Sequence, residues 1–179
     1  GRAVAAALRE RGVEPVPLLE DLLGTWKDLR VNVDVKGVSG IEPIAAAIER
    51  TNSHDRVCVA SFSAARRRAT VKLLSRPVAT SAGTSEFGRF WAGAGVGLAG
   101  RRPISQVDAL QVPWKVGRAT VLTRRHIDRA HREDRSVYVW TINDTADMEA
   151  LLDLGVDGLI SDRADLLKDV LMARGKWLS

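Results

Sequence analysis

Three apolar runs in this 179-residue chain end in polar groups that could do chemistry. VYVWTIND (137–144) closes on Trp140, Thr141 and Asn143, and LGVDGLISDRAD (154–165) carries a second run into Ser161, Asp162 and Arg163. LRVNVDVKG (29–37) ends in Asp34 and Lys36, two residues apart and so projecting to the same side of a strand. Polar groups at the carboxyl ends of parallel strands mark the reactive mouth of a barrel, where loops can vary while the strands hold them in place. Other chemistries have less support. His126 and His131 share a helix, but their five-residue spacing separates their faces, unlike an i, i+4 metal pair, and His54 falls at a helix end. All three read as surface or packing residues. No G-x-S-x-G elbow and no cysteine cluster for zinc occurs.

Composition narrows the classes further. The single Cys58 lies within an apolar run, so a disulfide framework is excluded and the thiol reads as buried and inert. The longest stretch of low polarity, Trp91 to Gly100, is half of what a membrane-spanning helix needs. The net charge of +5 comes mainly from arginine. Arg66, Arg67 and Arg68 precede Thr70, Lys72 and Ser75, which suits the wet face of a helix and not a nucleic-acid surface with stacking aromatics. The opening GRAVAAALRERG has no Met and no signal-like segment, so it reads as a cut. A cytoplasmic location is then a default only.

Strands alternate with helices throughout. Leu29–Val35, Val57–Phe62, Val78–Ser81, Ala109–Val112, Val137–Ile142 and Gly158–Ser161 read as strands, with Pro113 ending the fourth. Helices are expected over Pro17–Leu23, over Ile41–Thr51 with Ile44, Ala47 and Ile48 on one face, and after Ser63 as N-cap, stopping at Pro77. Others follow over Thr84 to about Leu98, after Thr123, after Asp144 with Gly155 beyond its end, and from Asp162 onward. No linker or repeat divides the chain, so residues 1–179 read as part of one domain. The alternation implies a parallel sheet with helices outside it. Five or six strands are too few for closure, which points to an incomplete (β/α)8 TIM-type barrel: strands 4 to 8 with their helices, the N-terminal strands missing.

Four segments in this order resemble the C-terminal part of the glycerophosphodiester phosphodiesterase family. PVPLLEDLL (15–23) is similar to the helix before that family's fourth strand, and VNVDVKG (31–37) to its acidic-x-Lys strand end. VCVASFS (57–63) resembles its Ser-Phe strand end, and VWTIND with GVDGLISDRAD its last two strands. The resemblance implies hydrolysis of small glycerophosphodiesters to glycerol phosphate and an alcohol, with a divalent cation, Ca2+ or Mg2+. It implies Asp34 as a metal ligand, although the family has Glu there, and Lys36 and Trp140 as substrate-binding residues. Asp34 could instead pair with Lys36 or an arginine, and Trp140 could fill the barrel interior. Phe62 reads as packing, and Asn143 and Asp162 as turn and capping residues. The family's HRG, Glu-x-Asp and HD motifs are absent, so no catalytic residue is assigned here and this stretch alone should be inactive. If the reading holds, Asp34, Lys36 and Trp140 converge on one mouth. Two alternatives remain: a non-catalytic phosphate-binding or assembly module whose exposed barrel edges pair two copies as a homodimer, and a related barrel phosphodiesterase acting on phospholipid head groups. Neither a nucleic-acid partner nor a membrane span is expected.

Overall fold

A computed structural model describes residues 10–12, 16–95, 104–117 and 119–177. The chain divides into two compact units, 1–80 and 81–179, each described by itself.

In the first unit the order is α1 (Leu19–Thr25), β1 (Val31–Asp34), α2 (Ile41–Thr51), β2 (Val57–Ala60), α3 (Ala64–Val71) and β3 (Ala79–Thr80). The strands form a parallel sheet in the order β1-β2-β3, with Val31 opposite Val57 and Asp34 opposite Ala60. Its core is Leu23, Val33, Val35, Ile48, Val57 and Val59, with Leu19, Leu22, Ile41 and Ile44 packed against it. Because side chains alternate along a strand, sending Val33 and Val35 to the helices turns Asp34 and Lys36 to the opposite face. Arg56 ties the joint between helix and sheet. Its guanidinium donates to the carbonyls of Trp26 and Leu29, 3.0 Å each, to that of Leu23, and to Ser53 Oγ at 2.8 Å. The Leu23 carbonyl is one of those left over where α1 ends, and a cation suits that end of a helix.

In the second unit come α4 (Thr84–Gly95), β4 (Ala109–Pro113), β5 (Lys115–Val116), β6 (Ala119–Thr120), α5 (Arg124–Arg132), β7 (Ser136–Trp140), α6 (Thr145–Leu154), β8 (Gly158–Leu159) and α7 (Ala164–Ala173). Strands β4, β7 and β8 are parallel in that order, Ser81 bridges Ala109, and β5 with β6 make a small antiparallel hairpin. The core gathers Phe90, Leu110, Ile127, Val137, Val139, Met148 and Leu151. Asp144 caps α6 by accepting from Asp147 N–H at 3.0 Å, and Gly155 leaves that helix at φ 95°.

Several expectations shift. Strand pairing is shorter than the apolar runs; beyond the strand ends Ile160 still donates to Val139 O and accepts from Ile142 N–H. The third helix ends at Val71, well before Pro77, and leaves Leu73 exposed. The final helix is entered from Arg163, not Asp162. Pro113 is the last paired residue of β4, opposite Trp140, and does not end the strand before itself. The end of the helix expected to reach Leu98, the opening residues 1–9 and residue 15 of the first motif lie outside the described residues.

Gly158 allows a close approach in the second sheet. A Cβ added there would sit 2.6 Å from Tyr138 Cδ1 and 2.8 Å from Cε1. Gly158→Ala must displace the half-buried Tyr138 ring, so a loss of about 1–3 kcal/mol is expected from urea unfolding midpoints. An unchanged midpoint would show that the ring swings aside at no cost.

Candidate functional site

At the carboxyl end of β1, Lys36 Nζ donates to Asp34 Oδ2 at 2.7 Å. Lys36 is 79% exposed, so its charge reaches solvent beyond the pair, and it lies 5.8 Å from the centre of the Phe62 ring. Phe62 is exposed, contrary to the packing role expected for it. The chain leaves β2 before Phe62, and the buried Ser61 turns inward to donate to Val35 O at 2.8 Å. Asp34 Oδ1 is buried with no hydrogen-bond partner. A carboxylate oxygen in that state invites a donor or a cation, because an unsatisfied buried acceptor is costly. The residue therefore fits one position in the oxygen shell of a hard divalent ion. Among the described residues no three His, Cys, Asp or Glu side chains gather into a metal site, so Asp34 stands as a single candidate ligand.

The other candidate, Trp140, belongs to the second unit and is half-buried at the corresponding end of β7. It shares a face with Tyr138, opposite the buried Val137 and Val139. The Trp140–Thr141 peptide is cis. Beyond it, Asn143 does more than turn the chain. Its Oδ1 accepts from Asp162 N–H at 2.9 Å and from Ser161 Oγ at 3.0 Å, and its Nδ2 donates to Asp162 Oδ2 at 3.2 Å. Sequence reading takes Asn143 and Asp162 as turn and capping residues. The signal for joining them was their placement at the ends of adjacent parallel strands.

The histidines are bound up in the scaffold. His54 is buried between Glu49, 3.1 Å from Nε2, and Arg76, 3.0 Å from Nδ1. His131 Nε2 meets Asp157 Oδ2 at 2.8 Å, and that oxygen also accepts from Val137 N–H at 2.7 Å. His126 stacks on Trp91, with centroids 6.0 Å apart and planes at 8°, and its Nδ1 accepts from Thr123 N–H at 3.2 Å. Burial, then the charges of Arg125 and Arg129, hold His126 below its ordinary value of 6.5. The unfolded chain consequently binds the proton more readily, and stability rises with pH across the interval below 6.5. This contribution is complete above 6.5 and is lost as pH falls toward the folded value. In urea unfolding from pH 7.5 to 5, wild type should lose more stability than His126→Gln; equal losses would remove this histidine as the cause.

No helix among the described residues is long and apolar enough to cross a membrane.

The sequence matches the Glycerophosphoryl diester phosphodiesterase family over residues 2–166. It is 43% identical over 166 residues to a protein of Mycobacterium tuberculosis named probable glycerophosphodiester phosphodiesterase 2, covering 92% of this chain and 63% of that one. The chain thus spans under two thirds of that relative's length. Its fold is similar to a crystal structure of a putative glycerophosphoryl diester phosphodiesterase from Silicibacter pomeroyi, with TM-score 0.66, 17% identity and coverage of 90% of this chain and 57% of the other. A glycerophosphodiester phosphodiesterase from Parabacteroides distasonis gives TM-score 0.66 at 18% identity, over 91% of this chain and 67% of the other. These likenesses agree with an α/β fold built on parallel sheets.

Proposed function

This chain belongs to the glycerophosphoryl diester phosphodiesterase family, and from that premise we propose that it takes part in hydrolysing glycerophosphodiesters to glycerol phosphate and an alcohol. In this reading residues 1–179 are the C-terminal portion of one (β/α)8 barrel domain; the described parallel strands β1 to β4, β7 and β8 are six, one more than the fourth to eighth expected from the sequence. Asp34 and Lys36 stand at the carboxyl end of β1 and serve the cation and the phosphate, and Trp140 stands at the carboxyl end of β7 and serves the alcohol moiety. The observation that carries the reading is Asp34: a strand-end carboxylate with one oxygen held by Lys36 and the other buried without a partner.

A bound divalent cation, Ca2+ or Mg2+, supplies positive charge against the non-bridging oxygens of the phosphodiester. Asp34 offers it one oxygen. Lys36 holds the second Asp34 oxygen in place and keeps an exposed ammonium available to a phosphate oxygen. Trp140 presents a flat apolar wall to the glycerol or alcohol moiety. Water attacks phosphorus, the bond to the alcohol oxygen breaks, and the alcohol leaves with a proton. No acid or base for that transfer is assigned to this chain.

The test is an assay of the full-length protein. It should release glycerol phosphate from glycerophosphocholine or glycerophosphoethanolamine in the presence of Ca2+ or Mg2+, and release should cease on chelation. Absence of release overturns the reading, whereas cleavage confined to phosphatidylinositol or sphingolipid head groups moves it to a related barrel phosphodiesterase. Strands β1 and β8 lie outermost in their described sheets, which supports pairing of two copies along an edge. A monodisperse dimer without hydrolysis on gel filtration and assay would favour assembly as the role.

A further inference from the structure

Asn143 makes a clamp between two strand ends that the proposed mechanism does not use. The ladder joining β7 to β8 runs through Ile160 N–H on Val139 O, 2.9 Å, and Ile142 N–H on Ile160 O, 3.0 Å. Past that point the main chains stop bonding to each other, and the Asn143 side chain takes over. The next donor on the β8 side, Asp162 N–H, goes to Asn143 Oδ1 at 2.9 Å. A backbone N–H can only donate, so the amide atom facing it is the oxygen, and the orientation of the amide is settled. The Asn143 nitrogen then faces the Asp162 carboxylate, 3.2 Å from Oδ2. Ser161 Oγ accepts from Arg163 N–H at 2.9 Å and gives its own proton to Asn143 Oδ1 at 3.0 Å. One neutral amide thus satisfies a main-chain donor, a hydroxyl and a carboxylate on the neighbouring exit loop. Thr141 to Asn143, the segment that leaves Trp140, is pinned to Ser161 and Asp162 by these contacts.

We propose that Asn143 is a positioning residue. By tying the loop after β7 to the loop after β8, it fixes where the Trp140 indole stands, and through that indole it sets the affinity for the alcohol moiety of the substrate. The affinity half of this statement rests on the reading of Trp140 given above; the positioning half does not. Opposite the Asp162 carboxylate, the group at 143 must be a neutral amide. A carboxylate of the same size would keep both acceptor contacts but would lose the donor and face Asp162 with like charge.

That requirement sets the experiment, on the full-length protein. Asn143→Asp should raise KM for a glycerophosphodiester by about 10-fold, with kcat changed by less than about 3-fold, as expected when binding contacts loosen and the chemistry is untouched. Adding Asp162→Asn should return KM to within about 3-fold of wild type, because the amide introduced at 162 donates to the carboxylate introduced at 143. The second readout is the Trp140 indole 1H–15N resonance, identified by its loss in Trp140→Phe. It should move in Asn143→Asp and return in the double variant. An indole resonance indifferent to Asn143→Asp overturns the proposal, whatever KM does. So does a double variant as impaired as the single one with an equally lowered Tm, which marks a merely structural contact. If wild type hydrolyses nothing but the resonance still moves and returns, positioning stands and the phosphodiesterase reading is what fails.

Discussion

On the proposed function, with Asp34 as a ligand of the cation, Asp34→Asn should lower glycerol phosphate release by about 100-fold or more while leaving Tm unchanged or slightly higher. The two halves of this result come from the two oxygens. Oδ2 is held by Lys36 at 2.7 Å, where an amide oxygen can still accept. Oδ1 is buried without a partner. A buried acceptor of that kind adds nothing to folding, and its charge is a cost unless a cation answers it. Removing the charge therefore spares the fold and takes away the attraction for the cation. The loss should be partly recovered at higher Ca2+ or Mg2+, since a weakened ligand set lowers occupancy before it alters the chemistry. If Asp34 serves only its contact with the exposed Lys36, the substitution should cost less than about 1 kcal/mol of stability and leave turnover intact. Activity and Tm measured together separate the two roles, and full activity in Asp34→Asn removes it from the metal shell.

Leu151→Ala should destabilise the protein by about 2–5 kcal/mol. Leu151 is fully buried on α6, in the core with Val139, Met148 and Ile127. Truncation removes its transfer energy and leaves a void that close-packed neighbours fill only in part. Leu73 is the control. It is 52% exposed just beyond α3, and Leu73→Ala should change stability by less than about 0.5 kcal/mol. Urea midpoints of the two variants differing by less than about 1 kcal/mol would contradict the placement of Leu151 in the core.

Much of this arrangement is legible in the residue order. Val31, Val33 and Val35 alternate with Asn32, Asp34 and Lys36, and that period of two already puts the carboxylate and the ammonium on one face. Asp144 before an apolar helix and Gly155 after it mark both ends of α6, because capping is a local matter of one side chain and one φ value. Element ends are less legible. The apolar runs at Leu29 and Phe62 extend past the pairing, since a strand lasts only as long as its neighbour offers a matching ladder. The hairpin of Lys115–Val116 with Ala119–Thr120 went unread: two-residue strands are too short to carry a periodic signal.

By itself the sequence determined the alternation of strand and helix, the family, and the polar character of the strand ends. These follow from local periodicity and from short motifs in order. Tertiary structure alone decided that Asn143 reaches the main chain of Asp162, that Asp34 keeps one oxygen unpaired, and that Tyr138 leaves Gly158 no room for a methyl group. Each of these depends on groups brought together by parallel pairing or burial. The distance between two strands is set by the sheet, and no spacing along the chain encodes it.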